Sequence, residues 1–137
     1  MNEYFIRECN EEDAEAVLAL WQQAEATVSV TDTVKDITRA IENSSTTVLV
    51  AKIDEKLIGS VIGSFDGWRG NIYRLAVLPD YRRLGIARAL VAEVEKRLVQ
   101  QGAKRITALV EKDHPWATGF WDAIGYERDS RIVRYVR

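Results

Sequence analysis

Leu75-Ala76-Val77-Leu78-Pro79-Asp80-Tyr81-Arg82-Arg83-Leu84-Gly85-Ile86-Ala87-Arg88 decides how this chain reads. An apolar run with strand character stops at a proline, which cannot donate into a ladder, and a basic turn holding a glycine then opens an amphipathic helix. Orphan N–H groups at a helix start point at whatever lies before it, and the macrodipole adds about half a positive charge there. Gly85 lets an anion approach the backbone closely, so the turn reads as an anion cradle suited to a pyrophosphate. A surface loop whose arginines Arg82, Arg83 and Arg88 are merely solvated is the competing reading of so short a pattern. A Walker loop is excluded because Ile86-Ala87 follow Gly85 where Lys-Ser/Thr is needed, and a dinucleotide fold lacks its third glycine and its ribose acid.

Downstream, Ala87, Leu90, Val91, Val94 and Leu98 fall at offsets of 0, 3, 4, 7 and 11, one apolar stripe of a helix that Gly102 is placed to end. Residues 106–110 read as a buried strand, 116–124 as a short helix ended by Gly125, and 126–136 as a final strand or hairpin arm. The arginines of that arm, Arg128, Arg131, Arg134 and Arg137, read as its charged outer face. Upstream, residues 48–53 and 57–65 flank the turn Asp54-Glu55-Lys56 as an antiparallel hairpin. A second turn, Asp66-Gly67-Trp68-Arg69-Gly70, leads into a strand over 72–78. Before these stand a strand over 4–7 and a helix capped by Asn10 with Ala14, Val17, Leu18 and Trp21 on one face. A polar, β-branched stretch over 27–34 separates it from a second helix carrying Ile37, Ala40 and Ile41. This order predicts a single α/β (α+β) domain over residues 1–137 with helices on a mixed sheet.

The composition agrees. A chain of 137 residues, 47% hydrophobic and 29% charged with 2 prolines, is long enough to bury roughly two-thirds of its unfolded surface around one core. A net charge of −2 lacks the basic excess of a domain that neutralises many phosphates, so nucleic acid is not an expected partner. Cys9 is the only cysteine and His114 the only histidine, leaving no internal disulfide and no zinc cluster. Met1-Asn2-Glu3-Tyr4 does not open like a signal peptide and no window approaches a membrane span, which predicts a cytoplasmic protein without membrane contact.

The basic turn resembles the signature Arg/Gln-x-x-Gly-x-Gly/Ala of the GNAT family of N-acetyltransferases, matched by Arg82, Gly85 and Ala87. The family's second block is answered by His114, Ala117, Phe120, Trp121, Gly125 and Tyr126, where His114 and Trp121 replace the usual Asn and Tyr. The resemblance covers essentially the whole chain, most strongly residues 71–126. It implies the GNAT fold, a central mixed, mostly antiparallel twisted sheet flanked by about four helices. It also implies that acetyl-CoA, with no metal, lies in a gap between the fourth and fifth strands, splayed by a bulge. The pantetheine would pair with the backbone of Leu75, Ala76 and Val77. The pyrophosphate would rest on the amides of Arg83, Leu84, Gly85, Ile86, Ala87 and Arg88, with Arg82, Arg83 or Arg88 adding charge-assisted contacts. His114 and Trp121 would border the cofactor.

The implied reaction is direct attack of a primary amine, from a small molecule, peptide or protein, on the thioester in a ternary complex, by a monomer or homodimer. Trp121 occupies the position of the family's frequent acid, and an indole N–H cannot usefully give up a proton. Tyr73, Tyr81 or water is left to protonate the thiolate. The fourth strand carries Asn71 and Tyr73 where the family often keeps a carboxylate, so Asp66 and Glu111 are the nearest candidate bases. His114 reads either as a ligand contact or as the cap of the helix behind Pro115. Asp66, Trp68 and Arg69 form a loop able to read an acceptor, and Trp21 and Trp116 could wall an alkyl-ammonium group. The altered proton-handling positions keep a rival open, a catalytically inactive acyl-CoA-binding regulatory domain, and beyond it an interaction module that binds no CoA.

Overall fold

The computed structural model describes residues 3–137, so Met1 and Asn2 of the opening stretch lie outside the described residues. The strands are β1 (Tyr4–Glu8), β2 (Thr46–Ile53), β3 (Lys56–Phe65), β4 (Gly70–Val77) and β5 (Ile106–Ala108). The helices are α1 (Ala14–Gln23), α2 (Val34–Glu42), α3 (Ile86–Gln101) and α4 (Pro115–Ala123). The sheet runs in the order β1-β2-β3-β4-β5. The first four strands pair antiparallel and β5 joins β4 in parallel. This is the expected single domain of mixed, mostly antiparallel sheet with four helices.

Each element follows from local chemistry. Asn10 accepts from the Glu12 amide and Asp13 returns to the Asn10 N–H, a reciprocal cap that opens a 3-10 turn before α1 begins. Thr33 caps α2 by accepting from the Asp36 amide. All five positions of the α3 stripe are buried, and Gly102, at φ 117°, ends the helix.

Close approach sets how α3 sits. Gly59, Gly63 and Gly70 lie beneath it, and a Cβ on Gly59 would already stand 3.2 Å from Leu90. A Cβ on Gly63 would overlap Cγ2 of Val94, whose side chain fills the space the glycine leaves. Gly63→Ala is therefore expected to destabilise the fold by about 1–3 kcal/mol through overpacking. Urea denaturation checks this, and adding Val94→Ala should return part of the loss; two independent, additive losses would contradict the contact.

Two sequence expectations are corrected. β5 ends at Ala108 rather than residue 110, because after the bond from the Leu109 amide to the Ile72 carbonyl (3.1 Å) the two strands diverge. Residues 127–137 form neither strand nor hairpin arm: they find no ladder partner and are exposed throughout. No helix is long and apolar enough to cross a membrane among the described residues.

Candidate active site

β4 continues to Val77, but β5 pairs with it only over Gly70–Ile72. From Tyr73 onward the β5 side of β4 has no strand against it. The cause lies one residue further on. Tyr73 pairs with Ile62 and Ala76 with Ser60, so Arg74 and Leu75 together oppose the single residue Val61. This is a β-bulge, and Arg74 adopts φ 53°, a conformation that costs a non-glycine residue roughly 1–2 kcal/mol. Bulges bend their strand, which opens a fork with Tyr73 at its crotch and Leu75, Ala76 and Val77 along one prong.

The strain at Arg74 is held from outside the sheet. Its guanidinium donates to both carboxylate oxygens of Asp32, at 2.8 and 2.9 Å, and lies 5.1 Å from the Trp21 ring. Trp21 in turn donates to the buried Ser60 hydroxyl at 3.0 Å, beside the bulge. Asp32 belongs to the segment between α1 and α2, and from that same segment the Thr27 amide donates to Glu111, just beyond β5, at 2.6 Å. The segment thus straps across the fork, tied to β4 by Arg74 and to the β5 side by Glu111.

At the far end of β4 the signature turn does two jobs. Arg82 is turned inward, where its Nε donates to the Val77 carbonyl (3.0 Å) and Nη2 to the Ala24 carbonyl (3.3 Å). Its plane lies 4.5 Å from the Trp116 ring, and burial pushes its pKa below the ordinary arginine value. Arg82 therefore joins β4, α1 and α4. Arg83 and Gly85 follow at φ 67° and 85°, two left-handed residues on either side of Leu84, and this winding forms a nest of amides. Among the described residues none of the six amides from Arg83 through Leu84, Gly85, Ile86 and Ala87 to Arg88 has an acceptor. The first bond of α3 is from Ala89 to Gly85. A Cβ on Gly85 would meet nothing within 4 Å, so the space over the nest is open. Arg83, Leu84 and Arg88 are exposed, and neither of these two arginines has an ion pair among the described residues. Ile86 and Ala87 are buried and anchor the first turn.

Beside Arg82, which holds the Val77 carbonyl, lies a cleft of about 410 Å³ lined by Glu25, Arg82, Glu111, Asp113, His114 and Trp116, with Pro115. His114 caps α4, its Nδ1 accepting from the Ala117 amide at 3.3 Å. That bond occupies Nδ1 and leaves Nε2 without a partner among the described residues. Trp121 is buried, its ring edge-on to Tyr126 at 4.6 Å and to Phe120 at 5.5 Å. The Tyr126 hydroxyl donates to Glu95 of α3, and burial with that carboxylate pushes the phenol well above its usual value. Tyr81 is half-buried with the Lys56 ammonium over its ring.

Asp66 stands apart from this assembly. Its Oδ1 accepts from the Trp68 and Arg69 amides, each at 2.8 Å, and these bonds hold its carboxyl below the usual range. With Trp68 and Arg69, which stack at 4.1 Å, it forms the β3–β4 turn. At about 3.3 Å per residue that turn lies roughly 20 Å along β4 from the nest. The structure thus gathers Tyr73, Leu75, Ala76, Val77, residues 82–88, Glu111 and His114 around one fork, and leaves Asp66, Trp68 and Arg69 at the opposite end of the strand. Cys9 is buried, which pushes its thiol up to about 12 and makes it no nucleophile. No metal-holding cluster occurs among the described residues. Arg74, Asp32, Glu25 and Asp113 were not singled out from sequence. Arg74 alone left a signal, a single charge within an otherwise apolar strand end.

A family model described as the acetyltransferase (GNAT) family matches residues 6–126. An acetyltransferase of Pectobacterium atrosepticum is 36% identical over 89% of this chain and 86% of its own length. An acetyltransferase of Yersinia pestis is 34% identical over 93% of this chain and 91% of its own. Among solved structures, an aminoglycoside N-acetyltransferase in complex with CoA superposes with a TM-score of 0.82 at 19% identity, covering 100% of this chain and 96% of the other. An N-acetyltransferase of Thermoplasma acidophilum in complex with coenzyme A gives 0.79 at 18%, covering 93% and 91%. A strand forked by a bulge, a nest of free amides at its end and a family match across most of the sequence agree: this chain belongs to the GNAT family of acetyltransferases.

Proposed function

We propose that this chain transfers an acetyl group from acetyl-CoA to a primary amine, by direct attack in a ternary complex. The observation that carries the reading is the continuity of unused backbone: an unpaired prong of β4 leads into six free amides under open space. A diphosphate suits the nest of residues 83–88, with Arg83 and Arg88 free to add charge. An extended pantetheine with its two amides suits the prong at Leu75, Ala76 and Val77. Arg82 serves as the post that fixes both to α1 and α4.

Acetyl-CoA supplies a thioester carbonyl and a thiolate leaving group. Water serves as the proton source for the thiolate, because a thiol of ordinary acidity, near 8.5, is a tolerable leaving group, and Tyr73 or Tyr81 is the side-chain alternative. His114 has Nδ1 on its helix cap, which leaves Nε2 to hydrogen-bond the pantetheine. Glu111 has one oxygen on the Thr27 amide and acts first as the strap's anchor. Glu25, Glu111 and Asp113 give the cleft a negative mouth that draws an ammonium, which passes one proton to solvent water before the free amine attacks the thioester. The aminoglycoside acetyltransferases among the structural neighbours support a small-molecule amine as acceptor.

Calorimetry with CoA followed by thiol release from acetyl-CoA across a panel of amines tests the reading. Saturable binding and amine-dependent release are expected. Binding without release on any amine would instead mark a regulatory acyl-CoA-binding domain, and absence of binding would overturn the cradle itself.

A further inference from the structure

The strand register lines up a row of side chains that the fork does not use. Thr46 of β2 stands opposite Ser64 of β3, Ser64 opposite Asn71 of β4, and Asn71 opposite Thr107 of β5. Directly opposed residues share a face of the sheet, so the row carries three hydroxyls and a carboxamide side by side. Gly63 and Ile72, next along the strands, belong to the other face, and Gly63 lies beneath α3, so the row faces away from that helix. Ser64 and Asn71 are half-buried and Thr107 is exposed. Thr46 reaches Asn43 at 3.4 Å, whereas the side chains of Ser64, Asn71 and Thr107 have no hydrogen-bond partner among the described residues.

The place of the row gives it a use. One step toward the fork, about 7 Å along the strands, the same face carries Ile62 opposite Tyr73. Beside them Leu109, its amide on the Ile72 carbonyl, is 44% exposed. A pantetheine running from the nest past Val77 to Leu75 brings its thioester to the crotch at Tyr73, so an acceptor lying on this face spans an apolar strip and then the polar row. Hydroxyls and a carboxamide both donate and accept, and none of them carries charge. They match neutral hydroxyls, and the strip matches the C–H face of a ring. A second ammonium meets no carboxylate within the row, and a carboxylate meets no cation there.

We infer that Ser64, Asn71 and Thr107 bind the acceptor, and that this acceptor is an amine on a hydroxylated ring, an amino sugar, whose hydroxyls exchange hydrogen bonds with the row while its nitrogen faces the fork. The inference rests on the acetyl transfer proposed above. The nitrogen bonds to the acetyl carbon, the C–S bond breaks, CoA leaves as a thiolate that water protonates, and the surplus proton on nitrogen passes to water.

Thiol release from acetyl-CoA with glucosamine and with cyclohexylamine, a ring without hydroxyls, tests it. The quantity read is the ratio of the two kcat/KM values, because the difference in amine basicity then cancels between variants. Ser64→Ala, Asn71→Ala and Thr107→Val should each lower the ratio about tenfold, chiefly through KM for glucosamine, and Thr107→Ser should keep it. Thr107→Val preserves shape and strand propensity at an exposed position, so it stays readable where the other two fail to fold. A ratio unmoved by Thr107→Val overturns the inference, as does a higher kcat/KM for putrescine or glycine than for glucosamine. If no amine is turned over, the acetyl transfer itself fails and binding judges the row. Glucosamine added to the CoA-loaded chain should then shift the amide resonances of Ser64, Asn71 and Thr107, and unmoved resonances overturn the inference as well.

Discussion

Replacing Arg74 with alanine is expected to destabilise the fold by about 2–4 kcal/mol, near the low end of what breaking a buried ion pair costs because Arg74 keeps some solvent. Side-chain exposure is 20% for Arg74 and 9% for Asp32, so the variant leaves a carboxylate largely removed from water with no cation against it. Both charge-assisted bonds and the stacking on Trp21 vanish together. Alanine also keeps the Cβ that makes φ 53° unfavourable, so strain persists while the interaction that offset it is gone. Arg74→Gly separates the two: it should be more stable than Arg74→Ala by about 1 kcal/mol, the relief of left-handed backbone. Adding Asp32→Asn to Arg74→Ala should recover much of the loss, and urea titrations of the four-member cycle read the coupling. Additive losses would show that the pair contributes nothing to holding the strap. In activity, the loosened strap should raise KM for the amine, because Glu25 and Thr27 lie on it, while CoA affinity at the distant nest stays as it was.

The fold was legible wherever a local pattern settles it. The α3 stripe repeats every 3.6 residues and β2 and β3 are apolar, β-branched runs on either side of a turn, and both stand where the sequence puts them. Residues 126–136 carry an equally good strand pattern and form no strand, because propensity describes what a segment accepts and pairing needs an edge within reach. β5 failed at its end for a related reason. Residues 109 and 110 are apolar enough to continue, but the bulge in β4 removes the ladder they would have joined.

The site divides along the same line. The nest was readable because Gly85 and a helix start are local features, and amide direction follows from them. The roles of the arginines were not, since Arg82, Arg83 and Arg88 look alike in sequence and differ only in what faces them. Arg82 meets two carbonyls and an indole, whereas Arg83 and Arg88 meet solvent. Asp66 has the composition of a reactive acid and the geometry of a turn cap. The Arg74–Asp32 clamp spans residues 42 apart in the chain, beyond any motif that sequence spacing can reveal.

Gly85→Val is expected to weaken CoA at least 100-fold, about 2.7 kcal/mol, while leaving the protein folded. Valine is nearly excluded from φ 85° by its branched Cβ, so the nest either refolds or stores roughly 1–3 kcal/mol of strain, a fraction of a typical domain's 5–15 kcal/mol. If the backbone holds, Cβ and two methyl groups stand in the space now open over the amides. If it yields, the amides of residues 83–88 no longer converge. Each charge-assisted hydrogen bond lost in either way is worth about 1.5–3 kcal/mol, and two suffice for the stated effect. Arg83→Ala and Arg88→Ala remove charge without disturbing the amides, so each should cost only about 0.2–1 kcal/mol, less as salt is raised. Pantetheine, which lacks the diphosphate, separates a local from a general failure: it should bind the Gly85→Val variant as well as the unaltered chain. Calorimetry reads all four proteins. Undiminished CoA affinity in the valine variant would place the diphosphate elsewhere, and equal loss of pantetheine would place the damage in β4 rather than in the nest.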